Sequence, residues 1–359
     1  MKLLFITVLL LTTMLQAEPK KKSIHALYIP LADHYGALVA YERYRDKMKY
    51  ADFKITQMKN WDLLRAYFQS GKVDMAFVMS PLAMDMFNQK PDFRWIGLMH
   101  RDGNALAIND LIKTKINLAA KRIDRKPNHE VADALKELYI ENKSPTKIGM
   151  PHLLSTHSVI LYRYLKEYGT SIAFSTKEKA EVLGISVSPP KAPQFIKINS
   201  ARATPAAFEQ SLPWADVVET EKFGYVAWYS KDVMPFKYGH VECITLATDK
   251  AIDEKRRAVN EVNYFIHKAG KDIEKARAEG GEALEEIVKI VRKHIKAHTR
   301  EAIIASLDIE LNVINYKHLN VDKEGLKQIM DYAFEGSIIK NKIDISSFAD
   351  ESFSQTVGN

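Results

Sequence analysis

The sequence predicts an α/β protein built as two lobes around a ligand cleft, and three observations carry that expectation. From Ser23 onward, short runs with strand character alternate with amphipathic helical runs. The alternation falls into two successive units, joined by extended crossings near 105–112 and 236–244. A chain of 359 residues is also long enough for two domains of ordinary size. The expected division is a leader over 1–17, a first lobe over 23–108 plus 241–359 with the C-terminal helices, and a second lobe over 109–240.

The first unit opens with SIHALYIP (23–30), a strand, followed by a loop and a helix from near Gly36. ADFKITQMK (51–59) predicts the next strand, and NWDLLRAYFQSG (60–71) a helix stopped by Gly71. VDMAFVM (73–79) is almost continuously apolar, as a strand buried on both faces should be. Ser80-Pro81 then opens a helix, with serine as cap and proline at the first position. FRWIGLMHRDGNALAIN (93–109) is a long extended stretch leading out of this unit.

The second unit holds a helix around 129–142, the strand TKIGMP (146–151) and a helix beginning in STHSVILYRYL. An extended stretch near 192–199 (PQFIKIN), a helix starting at Thr204-Pro205 and the strand FGYVAWYS (223–230) follow. VECITLATD (241–249) predicts a strand returning to the first unit, and helices at about 251–278, 282–298 and 322–335 complete the chain. There is no internal repeat and no low-complexity segment.

Composition narrows the function classes. Hydrophobic residues at 46% and charged residues at 27% are those of a globular protein. The first residues, MKLLFITVLLLTTMLQAEPKKK, have the form of a secretory signal: Lys2, an apolar core from Leu3 to Leu15, and the small Ala17. That core falls short of the roughly 20 residues a membrane-spanning helix needs, so export to the periplasm is expected. Cys243 is the only cysteine, which excludes an internal disulfide and a thiolate zinc cage. Its distance from the leader excludes a lipidated N-terminus. The net charge of +7 is a field favouring anions. Because basic residues are interleaved with acidic ones and form no compact run with aromatics, nucleic acid is not an expected partner.

Ligands of open α/β sheets bind beyond the carboxyl ends of strands, where helices begin. Four turns carry a helix-start signature: Asp33 to Gly36 (with His34), Ser80-Pro81, Ser155-Thr156 and Thr204-Pro205. Unpaired N–H groups and the positive dipole end at such starts favour an anion, although each also reads as an ordinary cap. The stretch GMPHLLSTHSVILYRYL (149–165) adds His152 and His157. They stand five residues apart rather than four, and there is no HExxH, so no metal is expected there. A Ser/His/Asp hydrolase would need a GxSxG elbow, which is missing. His157, in the first turn of a helix, can give one hydrogen bond to a ligand oxygen or pack as part of the helix start. Trp214 can wall a pocket, and His240 and Glu242 can face the cleft or pair with each other.

PHLLSTHSVILYRYL resembles the Pro-His…Ser-x-His…Leu-x-x-Tyr-Leu segment of the periplasmic substrate-binding proteins for nitrate and bicarbonate, within the wider nitrate/sulfonate/taurine class serving ABC importers. ADHYGALVAYERY, SGKVDMAFVMSPLAMDMF, GNALAIN, LPWADVVETEKFGYV, GHVECITLAT and the tail IIKNKIDISSFADESF resemble further blocks of that class in the same order. The resemblance covers most of 24–353. It implies the type II periplasmic binding fold, a small anionic or sulfonate-like solute between the lobes, and delivery to an ABC permease at the inner membrane. It implies that His157, Ser155 and Thr156 face the ligand, with Ser80, Asn104 and Trp214 nearby. His34, Thr204 and Glu242 join them from the turns and the second crossing. Leu212 before Pro-Trp, Val241 and the neutral Cys243 depart from the nitrate and bicarbonate pattern, so neither ion is inherited. No cofactor is expected, and a monomer is. The alternatives are a periplasmic enzyme using His157 as general base and a ligand-sensing partner of a membrane histidine kinase.

Overall fold

The computed structural model describes residues 20–357, and the leader expected over 1–17 lies outside them. Its strands are, in chain order, β1 (Lys22–Tyr28), β2 (Ala51–Gln57), β3 (Met75–Met79), β4 (Phe93–Leu98), β5 (Arg101–Asp102), β6 (Asn104–Ile108), β7 (Thr146–Met150), β8 (Ile172–Ala173), β9 (Val182–Ser186), β10 (Ala206–Ser211), β11 (Tyr225–Tyr229), β12 (Cys243–Thr248) and β13 (Ile314–Asn315). A five-stranded sheet of order β2-β1-β3-β12-β4 is the centre of one lobe. A six-stranded sheet of order β11-β6-β10-β7-β9-β8 is the centre of the other, and β13 pairs β5 as a small ribbon at the crossing.

Strand polarity places the site. β12 runs antiparallel to β3 and β4, and β6 antiparallel to β10 and β11, whereas β1–β3 and β7–β10 pair in parallel. Each sheet therefore contains one reversed strand, and that strand is the one the chain enters on crossing over. Its amino end lies beside the carboxyl ends of its neighbours: Cys243 opposite Met79 in the first sheet, Asn104 opposite Ser211 in the second. The helix starts after β3 and β7 and both reversed strand starts thus meet along one seam. β3 is buried at every position, in keeping with its apolar sequence.

Helices His129–Asn142, Asp249–Glu279, Gly281–His294 and Lys323–Glu335 form close to where the pattern predicts them. Ser155 caps the helix Thr156–Glu167, its hydroxyl accepting from the Ser158 N–H at 3.1 Å. Among the described residues no helix is long and apolar enough to cross a membrane.

Four expectations need correction. Residues 192–199 are not extended but begin the helix Ala192–Ala201; Ala192, Pro193 and Ile196 are buried while Ile198 is exposed, a helical rather than an alternating pattern. Pro193 sits in its first turn, where a missing N–H costs nothing. Thr204-Pro205 starts no helix: the chain goes straight into β10, a central strand buried along its length. A residue before proline prefers extended backbone and proline is tolerated at a strand's beginning, so the same dipeptide serves either element. The first crossing lies at 99–103, earlier than 105–112, because β6 already belongs to the second sheet. Finally, Ser80 is the first helical residue and makes no cap bond; Met79 occupies the cap position.

Candidate functional site

The seam is filled by polar and ionisable side chains that are wholly buried. Asp33, Ser80, His100, Asn104, Ser155, Thr156, His157, Glu209, Ser211, His240 and Glu242 all have no exposed surface. The chain reverses into each sheet just where these residues sit, so elements far apart in sequence deliver them to one place.

At the centre, Ser211 Oγ donates to Asp33 Oδ2 at 2.8 Å. His157 Nε2 lies 2.9 Å from the same Ser211 oxygen. Serine has one hydroxyl proton, and Asp33 takes it, so His157 carries its proton on Nε2 and donates to Ser211. His157 Nδ1 is then an acceptor without a hydrogen-bond partner among the described residues, 3.6 Å from Glu242 Oε1. Burial pushes His157 down to about 3, against the opposing pull of Asp33, so the ring is neutral.

Glu242 links this chain to the second crossing. Its Oε2 accepts from Asn104 Nδ2 at 3.0 Å and lies 3.9 Å from His240 Nδ1. His240 Nε2 is 2.9 Å from Ser230 Oγ, and its ring too is held near 3 by burial. Burial, with Asp33 nearby, keeps Glu242 well above the usual carboxylate range. Glu209 is raised in the same way by burial and then by Glu242, and neither of its oxygens has a partner among the described residues. Asp33 alone moves the other way. Burial opposes its ionisation, but the neighbouring imidazoles, His100 foremost, outweigh that and hold it at about 2.

The nine expected ligand residues separate under this geometry. His157, Thr156, Asn104 and Glu242 come together at the seam, and Ser80 Oγ reaches Thr156 Oγ1 across it at 3.4 Å. Ser155 is present there as the helix cap. Trp214 borders the cluster, its indole donating to the Pro30 carbonyl at 2.9 Å and its ring edge-on to His298 at 4.8 Å. His34 turns into the first lobe, with Nδ1 against the Ile29 backbone and its ring beside Trp61 and Phe77. Thr204 is exposed at the start of β10, the opposite end of the strand from Ser211, and takes no part. His152 keeps a local role, its Nδ1 accepting from the Leu154 N–H at 3.0 Å.

Asp33, His100, Glu209, Ser211 and Cys243 join the buried cluster although the sequence marks none of them as a ligand candidate. Asp33 lay within one of the four turns, so its position was legible. Ser211 was hidden by the helix expected after Thr204, and His100 sits on a crossing with no local signature. Near the cluster, a surface recess of about 330 Å³ reaches Asp102, lined by Lys231, Lys237, Lys317 and His318.

A family model described as the NMT1-like family matches residues 17–290. The ligand-binding component of an ABC-type import system from Staphylococcus aureus, solved with zinc bound, is 17% identical with a TM-score of 0.70, covering 93% of this chain and 98% of that one. The periplasmic nitrate-binding protein NrtA from Synechocystis PCC 6803 is 15% identical at a TM-score of 0.75, covering 94% and 88%. The aliphatic sulphonate-binding protein SsuA from Escherichia coli is 11% identical at 0.62, covering 91% of each chain. At these identities the likeness establishes the fold, two α/β lobes of the periplasmic binding type. A comparison with curated proteins finds no match.

Proposed function

From the premise that this chain belongs to the NMT1-like family, we propose that it is the periplasmic solute-binding component of an ABC importer, holding a small solute between its lobes and delivering it to a permease. The observation that carries this reading is the seam itself: both lobes contribute fully buried, incompletely partnered polar groups to one cluster. Buried polar groups are normally satisfied, and leaving one unmet costs about 1–3 kcal/mol. A constellation of them between two closing lobes is what a solute site requires.

A small anionic or sulfonate-like solute is favoured by several features. The helices after β3 and β7 begin at the seam, with Ser80 and Thr156 facing each other. Glu209 and Glu242, kept protonated, and the neutral His157 can serve as hydrogen-bond donors or acceptors without adding negative charge. The lysine-lined recess adds a positive approach.

An enzyme with Ser211 as nucleophile and His157 as its base loses support from hydrogen-bond direction, since His157 donates to Ser211 and the serine proton goes to Asp33.

Thermal-shift and calorimetric titration with nitrate, bicarbonate and short alkanesulfonates tests the reading. At least one of these is expected to raise the melting temperature, and His157→Ala to weaken its binding by at least about tenfold with an unchanged circular dichroism spectrum. Unaltered affinity in that variant removes His157 from the solute site.

A further inference from the structure

We infer that Asp33, His100 and Cys243 form a binding site for a thiophilic divalent cation such as Zn²⁺. One ligand atom from each lies within 4.8 Å of the others, and all three residues are buried. His100 Nε2 and Cys243 Sγ are each 3.5 Å from Asp33 Oδ2. In a tetrahedral zinc site, with bonds of about 2.0 Å to N and O and 2.3 Å to S, neighbouring ligand atoms stand roughly 3.3–3.6 Å apart. His100 Nε2 and Cys243 Sγ already stand at that spacing from Asp33 Oδ2, and lie within 4.8 Å of each other.

An independent observation points the same way. His100 is fully buried, yet among the described residues neither ring nitrogen has a hydrogen-bond partner, and Asp33 Oδ1 has none either. A coordinate bond would satisfy a His100 ring nitrogen that no other described residue satisfies. The mixture of imidazole, carboxylate and thiol suits Zn²⁺ or Co²⁺ and not Mg²⁺ or Ca²⁺, which take oxygen ligands. Asp33 has the outer support that ligating carboxylates normally have, the Ser211 hydroxyl at 2.8 Å.

None of the donors comes from the second lobe. Asp33 follows β1 and Cys243 opens β12 of the first sheet, and His100 lies on the first crossing just beyond β4, whereas Ser211 and His157 come from the second lobe. Parting of the lobes removes Ser211 and His157 from the three ligands and gives the cation its entry path. Binding exchanges the Cys243 thiol proton, now directed at Asp33, for the cation and releases one proton to solvent. Three protein ligands leave a fourth position for water or a solute atom. The cation would also offset the charge of Asp33, which otherwise opposes an anion in the same cleft. The inference deepens the solute-site reading without depending on which solute is bound.

The protein, stripped with a chelator, is titrated with Co²⁺ and then Zn²⁺. The expected result is one equivalent of Co²⁺ with a thiolate-to-metal charge-transfer band in the near ultraviolet, lost on adding Zn²⁺. Cys243→Ser is expected to abolish the band, and His100→Ala to weaken binding at least about tenfold, in variants whose metal-free spectra match the wild type. A wild-type protein without the band overturns the inference whatever the variants do, as does cation affinity that neither substitution changes. Cation uptake with no response to nitrate, bicarbonate or alkanesulfonates leaves this site standing and overturns only the anionic solute. Anion binding by a protein that takes up no cation does the reverse.

Discussion

At the scale of single residues, the site is governed by where protons are held. The order Glu242, His157, Ser211, Asp33 contains the residue types of a hydrolytic triad, but the serine proton points at the carboxylate and not at the imidazole. Burial sets the rest, raising Glu209 and Glu242 and lowering His157 and His240. Glu209 offers a clean test of linkage, since its carboxyl is buried without a partner. Its folded-state value is raised, so both states hold the proton below about pH 4 and stability is then insensitive to it. As pH rises above that, only the unfolded chain releases the proton, and stability falls by up to about 1.4 kcal/mol per pH unit. Glu209→Gln should therefore match the wild type in melting temperature near pH 4 and exceed it increasingly towards pH 7. A constant difference across that range would show that Glu209 is not held protonated.

At the scale of elements, the seam depends on tight backbone turns and on one helix start. The first crossing turns at Gly103, whose φ is +94°, and a Cβ there would stand 2.9 Å from Ile314 Cδ1 and 3.1 Å from His100 Nδ1. Gly239, with φ of +91°, plays the same part on the second crossing against Asp102. Both positions combine left-handed backbone with close packing, so Gly103→Ala should cost about 1–3 kcal/mol. That would appear as a lower urea midpoint with an unchanged slope. At the helix Thr156–Glu167, Ser155→Ala removes the bond to the Ser158 N–H and should cost about 1 kcal/mol.

At the scale of the whole molecule, the lobes are held face to face by a short row of bonds. The Ala32 N–H donates to the Leu212 carbonyl at 2.7 Å, the Trp214 indole to Pro30 at 2.9 Å, and Ser211 to Asp33 at 2.8 Å. The helix Lys323–Glu335 packs against both Ser80–Gln89 and Thr156–Glu167, and Glu335 pairs with Lys166. The C-terminal helices thus touch both lobes. Losing one seam hydrogen bond costs about 1 kcal/mol, enough to move a closely balanced open–closed equilibrium severalfold. Trp214→Phe should accordingly raise the radius of gyration by small-angle scattering without solute, and weaken solute binding by about fivefold. An unchanged radius and affinity would show that this indole does not latch the lobes.

Two α/β units, a Ser155-capped helix and the return strand through Cys243 were legible in the sequence, because apolar periodicity and cap chemistry act over a few neighbouring residues. So was the likeness of the 149–165 segment to solute-binding proteins. The same local signals misread 192–211, where Thr204-Pro205 suits a strand start as well as a helix start and only the pairing of β10 with β6 and β7 decides for the strand. The meeting of Asp33, His100, His157, Ser211, Glu242 and Cys243 was decided by tertiary structure alone. Those residues are spread over more than 200 positions, and what joins them is the reversed strand in each sheet, a non-local hydrogen-bonding choice that leaves no periodic trace in the chain.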